Sequence, residues 1–204
     1  LQAAAPISNA NECEVSSAQG RNEDRALAVT DGTPSETRAV LLRRGALRGS
    51  DLRWALVAAA SVLIASVAGQ LASASAVEGW YRTIAKPWFT PPNWVFPVAW
   101  TLLFTIMGTA FWRILRHPSG TPSRRTAIAL FVVQLAFNSG WSAVFFGAQS
   151  PKYGLVVIAP LWALILATIL VFRGMDRLAA RMLVPYLVWL TFAAVLNVAI
   201  WTLN

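Results

Sequence analysis

From Trp54 onward the chain alternates long apolar runs with short polar connections. Five runs stand out, at residues 54–73, 94–114, 125–147, 153–173 and 182–203. Each is about 20 residues long, enough to cross about 30 Å of hydrocarbon at 1.5 Å per helical residue. No charged residue falls in any of them away from the ends. The pattern predicts an all-α membrane protein, a bundle of five transmembrane helices. The first run is the least apolar, being rich in Ala and Ser with Gln70 near its end. Pro97, Pro160 and Pro185 fall inside the second, fourth and fifth runs and predict kinks there. No internal repeat is visible, which weighs against transporters built from inverted repeats.

Ahead of the runs the pattern disappears. The first 35 or so residues are rich in Ala, Ser, Asn, Glu and Gly and show neither helical nor strand periodicity. The expectation is a disordered extension over residues 1–50 and a membrane domain over 51–204. A transit peptide fits less well, because such peptides are poor in acids and six precede residue 37. The chain opens on Leu1 rather than Met, so a fragment or a processed product is expected.

Composition agrees with the pattern. Hydrophobic residues make up 56% of the 204 and charged residues 13%. Soluble domains carry about 25% charge, so the composition argues against a soluble globular protein and for a membrane one. The net charge of +8 is unevenly placed. Residues 1–53 hold seven Arg and seven acids, so the whole excess lies on the apolar body. There the basic residues sit between membrane runs, which reads as topology and not as nucleic-acid binding. Arg38, Arg43, Arg44, Arg48 and Arg53 flank the first run. The second loop and the fourth loop are also basic, whereas the other side has only Arg82, Lys86 and Lys152. The positive-inside rule then puts the N-terminus in the cytoplasm, for a bacterial inner membrane or an organelle membrane.

Several chemistries are excluded by what is absent. A single cysteine, Cys13, allows no intramolecular disulfide and no Cys-based zinc or iron–sulfur site. A single histidine, His117, allows no multi-His metal centre, and it lies in a loop beside Pro118. No carboxylate pair, proton-relay chain or Gly-rich phosphate loop occurs in the body. No catalytic residue, metal ligand or required cofactor is expected.

Two stripes remain. The third run carries Gln134, Asn138 and Trp141 at i, i+4 and i+7, one helical face. The fifth carries Tyr186, Trp189, Ala193 and Asn197 at i, i+3, i+7 and i+11, again one face. Polar groups inside a membrane are expensive and turn into the bundle. Such stripes either glue helices together or line a pocket for a flat apolar ligand, and both can hold. Ten tryptophans are present. Six fall near span ends, where an interfacial belt explains them. Trp100, Trp141, Trp162 and Trp189 do not, and a deep indole N–H wants a partner. The first loop, with Trp80, Arg82, Lys86, Pro87, Trp88, Pro91 and Pro92, is stiff and amphipathic. It reads either as an interfacial anchor or as a lid whose Arg82 and Lys86 meet an anionic ligand. Ala136 and Gly140 form a small-xxx-small pair, as do Ser139 and Ala143, and allow close contact within the bundle or across a dimer.

Trp80-Tyr81, Lys86-Pro87-Trp88 and the stretch from Pro91 to Phe104 (PPNWVFPVAWTLLF) resemble the signature of the tryptophan-rich sensory protein and translocator protein family, TspO/MBR. Further matches follow in order: QLAFN at 134–138 with Trp141, FFG at 145–147, PYLVW at 185–189, and Leu196-Asn197 with Trp201. The resemblance covers residues 54–204. It implies a five-helix bundle, often a homodimer, whose pocket is closed by the first loop. It implies tetrapyrrole ligands, protoporphyrin IX or haem, bound by Trp100, Asn138, Trp141, Tyr186, Trp189, Ala193 and Asn197. It also implies a rival, light- and oxygen-dependent breakdown of protoporphyrin through Trp100 and Trp189. The cholesterol motif of animal relatives needs a Tyr followed by Lys or Arg. The matching stretch, residues 195–204, has neither, which counts against sterol recognition by that route. The leading expectation is a membrane receptor or carrier of tetrapyrroles, in transport, sensing or stress regulation. A protoporphyrin-degrading enzyme and a membrane scaffold are the alternatives.

Overall fold

The structure, a computed structural model, describes residues 34–204, with side chains from Gly49 onward. It consists of helices α1 (Pro34–Glu78), α2 (Trp80–Thr83), α3 (Val95–Leu115), α4 (Arg124–Ser142), α5 (Pro151–Met175), α6 (Arg177–Met182) and α7 (Val184–Leu203). A π-helical turn, Ala143–Gly147, continues α4. Five segments are long and apolar enough to span a membrane: Gly49–Glu78, Val95–Leu115, Arg124–Gly147, Pro151–Met175 and Arg177–Leu203. These are the five predicted runs. The protein is an integral multi-pass membrane protein.

The boundaries differ in instructive places. The first span runs on to Glu78, because Ala, Ser and Val continue the helix without a breaker. The expected disordered extension, 1–50, falls over residues 1–33 outside the described residues, and over 34–50 the backbone is helical. Two of the three prolines expected to kink a span stand at a helix start instead. Pro97 and Pro185 stand in the first turns of α3 and α7, where a missing N–H costs nothing. Only Pro160 lies inside a helix.

Large apolar side chains such as Leu63, Ile64, Leu71, Leu102 and Val156 are exposed on the outside. In a spanning bundle that surface meets lipid. The interior is packed unevenly. At the end that carries the 116–123 loop, Met107, Phe111, Ile114, Phe131 and Phe172 are fully buried. Phe111 and Phe131 stack there with centroids 4.1 Å apart. Ion pairs pin the same end: Arg113 to Asp176 and Arg116 to Asp51, each at 2.8 Å. Asp176 also caps α6, accepting from the Leu178 and Ala179 N–H groups. Toward the other end a smaller cluster forms around Tyr81, Phe145, Leu196 and Ile200. There the helices leave space between them.

Candidate binding cavity

That space is a cavity of about 400 Å³ bounded by α1, α3, α4 with its π turn, α5 and α7, and roofed by α2. Small-molecule sites occupy about 300–1,000 Å³, so the volume suits a ligand. Of the seven pocket residues expected, six line it: Trp100, Asn138, Trp141, Trp189, Ala193 and Asn197. Tyr186 stands one layer behind. It is fully buried, with its ring 6.3 Å edge-on from Trp100.

The two predicted stripes meet through their polar groups. Asn138 Nδ2 donates to the Tyr186 hydroxyl at 2.9 Å. Trp141 Nε1 donates to Asn197 Oδ1 at 3.2 Å, and Asn197 Nδ2 donates to the Pro151 carbonyl at 2.7 Å. Asn197 therefore joins α4, α5 and α7. Each such bond contributes about 0.6 to 2 kcal/mol in a membrane bundle. Gln134 does not reach the cavity; it is buried with Oε1 unpartnered.

The four deep tryptophans divide. Trp162 turns to the outer face, where Nε1 donates to Thr191 Oγ1 at 2.9 Å. Trp141 is stacked on Phe145 with centroids 5.0 Å apart. Among the described residues, Trp100 and Trp189 have no hydrogen-bond partner for their indole N–H, although both rings line the cavity. The cavity wall thus includes two indoles whose N–H groups are not spent on the described residues.

The first loop packs down over this end of the bundle. Trp80 packs edge-on against Phe145 at 5.8 Å and does not line the cavity. Arg82 is exposed, and Trp88 is 95% exposed. Lys86 Nζ donates to the Ile84 carbonyl and stands 4.9 Å from the Tyr81 ring centre. Tyr81 and Asn93 are the loop residues in the wall. Burial among aromatics pushes the Tyr81 phenol up, so it stays neutral at physiological pH. The loop is tied to the end of α7, where Asn204 accepts from the Ala85 N–H and donates to the Ala85 carbonyl. Ala136 is exposed and Gly140 half-buried, and a Cβ at Gly140 would meet nothing within 4 Å. That pair faces outward. Ser139, by contrast, donates to the Ala65 carbonyl and joins α4 to α1.

Three features of the site escaped the sequence reading. The π turn, closed by Ala148 N–H to the Ala143 carbonyl at 2.9 Å, turns Phe145 and Phe146 into the cavity. Gly154 lets α5 approach the polar floor: an added Cβ would lie 2.8 Å from Asn197 Oδ1 and 3.1 Å from Phe145. The α1 wall, with Ala65, Ser66, Gly69, Gln70 and Ser73, is made of small or polar residues. The alanine- and serine-rich composition that weakened the first run was the only signal for it.

Comparison with known proteins agrees with these observations. Residues 56–202 match the family model described as TspO/MBR family. The chain is 42% identical to the tryptophan-rich protein TspO of Chlorobaculum tepidum, over 70% of this chain and 90% of that one. It is 37% identical to protein CrtK of Rhodobacter capsulatus, over 61% and 78%. It is 34% identical to the human translocator protein, over 61% and 75%.

Proposed function

This chain belongs to the TspO/MBR family, and from that premise we propose that it is a membrane receptor or carrier for tetrapyrroles such as protoporphyrin IX or haem. The observation that carries the reading is the pair Trp100 and Trp189, two cavity-lining indoles with no internal partner. A flat macrocycle offers the area that such rings stack on. Its polar edge offers acceptors for two free N–H groups. Asn138 and Asn197 hold the aromatic walls at their spacing and present amide atoms to the same space. Lys86, over the Tyr81 ring, and the exposed Arg82 are cations of the roofing loop and suit carboxylate side arms. The membrane domain is residues 51–204, with its N-terminal end in the cytoplasm by the positive-inside rule. The outward Ala136–Gly140 pair suits a homodimer contact.

The test is quenching of tryptophan fluorescence by protoporphyrin IX in the dark, with Trp100→Phe/Trp189→Phe alongside. Saturable quenching that the double variant loses is expected. Equal affinity in both proteins would sink the pocket assignment. The same two indoles favour a second reading, light-driven oxidation of the porphyrin by dioxygen, because both line the space a macrocycle would fill. An illuminated arm separates the two. A defined product that forms faster than with the double variant would favour the enzyme.

A further inference from the structure

The cavity needs an entrance, and the first loop makes a poor one. Its backbone is tied to Asn204 by two hydrogen bonds, Tyr81 packs on Phe146, and Phe89 packs on Phe192. The opposite situation holds between α1 and α3. A second concavity of about 640 Å³ lies there, open to the lipid-facing side and lined by residues such as Ala58, Ala59, Val62, Thr105 and Gly108. Ser66, Thr101 and Phe104 belong to the walls of both the groove and the interior cavity. The partition is one side chain thick.

We propose that the α1–α3 groove is a lateral portal through which flat apolar molecules dissolved in the bilayer enter the cavity, with Ser66, Thr101 and Phe104 as its sill. The chemistry of the groove suits such a passenger. Thr101, Thr105 and Thr109 donate their hydroxyls to the carbonyls four residues earlier, at 2.8, 2.7 and 2.8 Å. On the α1 side Ser66 Oγ accepts from Gln70 Nε2 at 3.0 Å. These hydroxyls are satisfied within their own helices and make no polar demand on what slides past. The α1 side of the sill is built from Ala65, Ser66 and Gly69, so little side chain has to move aside. A molecule that partitions into lipid reaches the groove without crossing water. The portal is a property of the cavity whatever fills it. Only the identity of the passenger as a tetrapyrrole rests on the reading above.

The test uses the full chain in phosphatidylcholine nanodiscs, with Cys13→Ser and a reporter thiol in the cavity, Ala193→Cys. The probe is pyrene maleimide dissolved in the lipid. Plugging the sill from either side, by Thr101→Trp or Ser66→Phe, slows modification about tenfold, whereas the same bulk on the outer face of α5, Val156→Trp, leaves it within about twofold. Untying the loop by Asn204→Ala also leaves the rate unchanged. Unfolding exposes the thiol and speeds modification, so a misfolded variant cannot imitate a plug. An unslowed rate in both plugged proteins, each helical and monodisperse, overturns the portal. So does a faster rate in Asn204→Ala, which would place the entrance at the loop. Dark quenching by protoporphyrin IX uses neither the thiol nor the maleimide, so failure of the tetrapyrrole reading is seen separately.

Discussion

The indole N–H of Trp141 donates to Oδ1 of Asn197, 3.2 Å away and 56 residues further along the chain. The bond ties the end of α4 to α7, and Asn197 passes the tie on to the start of α5 through the Pro151 carbonyl. The approach of α5 depends on the absence of a side chain at Gly154. Gly154→Ala puts a methyl 2.8 Å from Asn197 Oδ1. Overpacking of this kind costs about 1–3 kcal/mol. A lower Tm in detergent is expected, together with weaker porphyrin quenching. A Tm equal to the parent's would mean that α5 yields at no cost and that this floor is soft.

Asn138 and Tyr186 form the second bridge between α4 and α7. A double-mutant cycle with Asn138→Leu and Tyr186→Phe should give a coupling of about 0.6 kcal/mol, with about 1.7 as the ceiling seen in membrane bundles. Asn138→Leu should also cost less in the Tyr186→Phe background than alone. Strict additivity would show that the two groups do not interact.

Trp162 offers a contrast with the cavity tryptophans. Its N–H is already spent on Thr191 at the outer face. Trp162→Phe should leave porphyrin quenching saturable with unchanged affinity, while Trp189→Phe weakens it. A loss of affinity in Trp162→Phe equal to that in Trp189→Phe would place the ligand on the outside of the bundle.

Asp176 predicts a pH dependence. Burial pushes its carboxyl up, but hydrogen bonds from the Ala179 N–H, Arg113 and the Leu178 N–H, with the Arg113 charge, outweigh it and hold it below the usual range. A depressed folded value means stability that is present above the unfolded pKa, about 3.9. It is lost as pH falls through the folded value. Thermal midpoints measured from pH 7 to 3 should therefore fall more steeply for the parent than for Asp176→Asn, with the variant already less stable at pH 7. Parallel curves would refute the role assigned to this carboxylate.

The loop tie gives a local readout. In Asn204→Ala the Ala85 amide loses its acceptor. Hydrogen exchange at Ala85 should speed about fivefold to tenfold, in line with one net hydrogen bond. Amides within α7 should be unaffected. Unchanged exchange at Ala85 would show that the aromatic contacts of Tyr81 and Phe89 hold the loop without the tie.

Much of this architecture is legible in the sequence alone. Helix number and class follow from apolar run length, because the bilayer sets a fixed distance and leaves no backbone polar group unpaired. The two polar stripes are legible because a helix repeats every 3.6 residues, so Asn138 and Trp141, like Tyr186 and Asn197, must share a face. What those faces meet is another matter. That Asn138 finds Tyr186 while Asn197 reaches both Trp141 and Pro151 depends on the distance between helices, and one glycine, Gly154, sets part of that distance. Periodicity carries no signal for such a contact. Pro97 and Pro185 fall inside apolar runs yet start helices, since the effect of a proline depends on where the first turn begins. The small residues of the α1 wall show in composition, but the thin sill at Ser66, Thr101 and Phe104 belongs to the tertiary structure, because two neighbouring spans must leave a gap before small side chains become an opening.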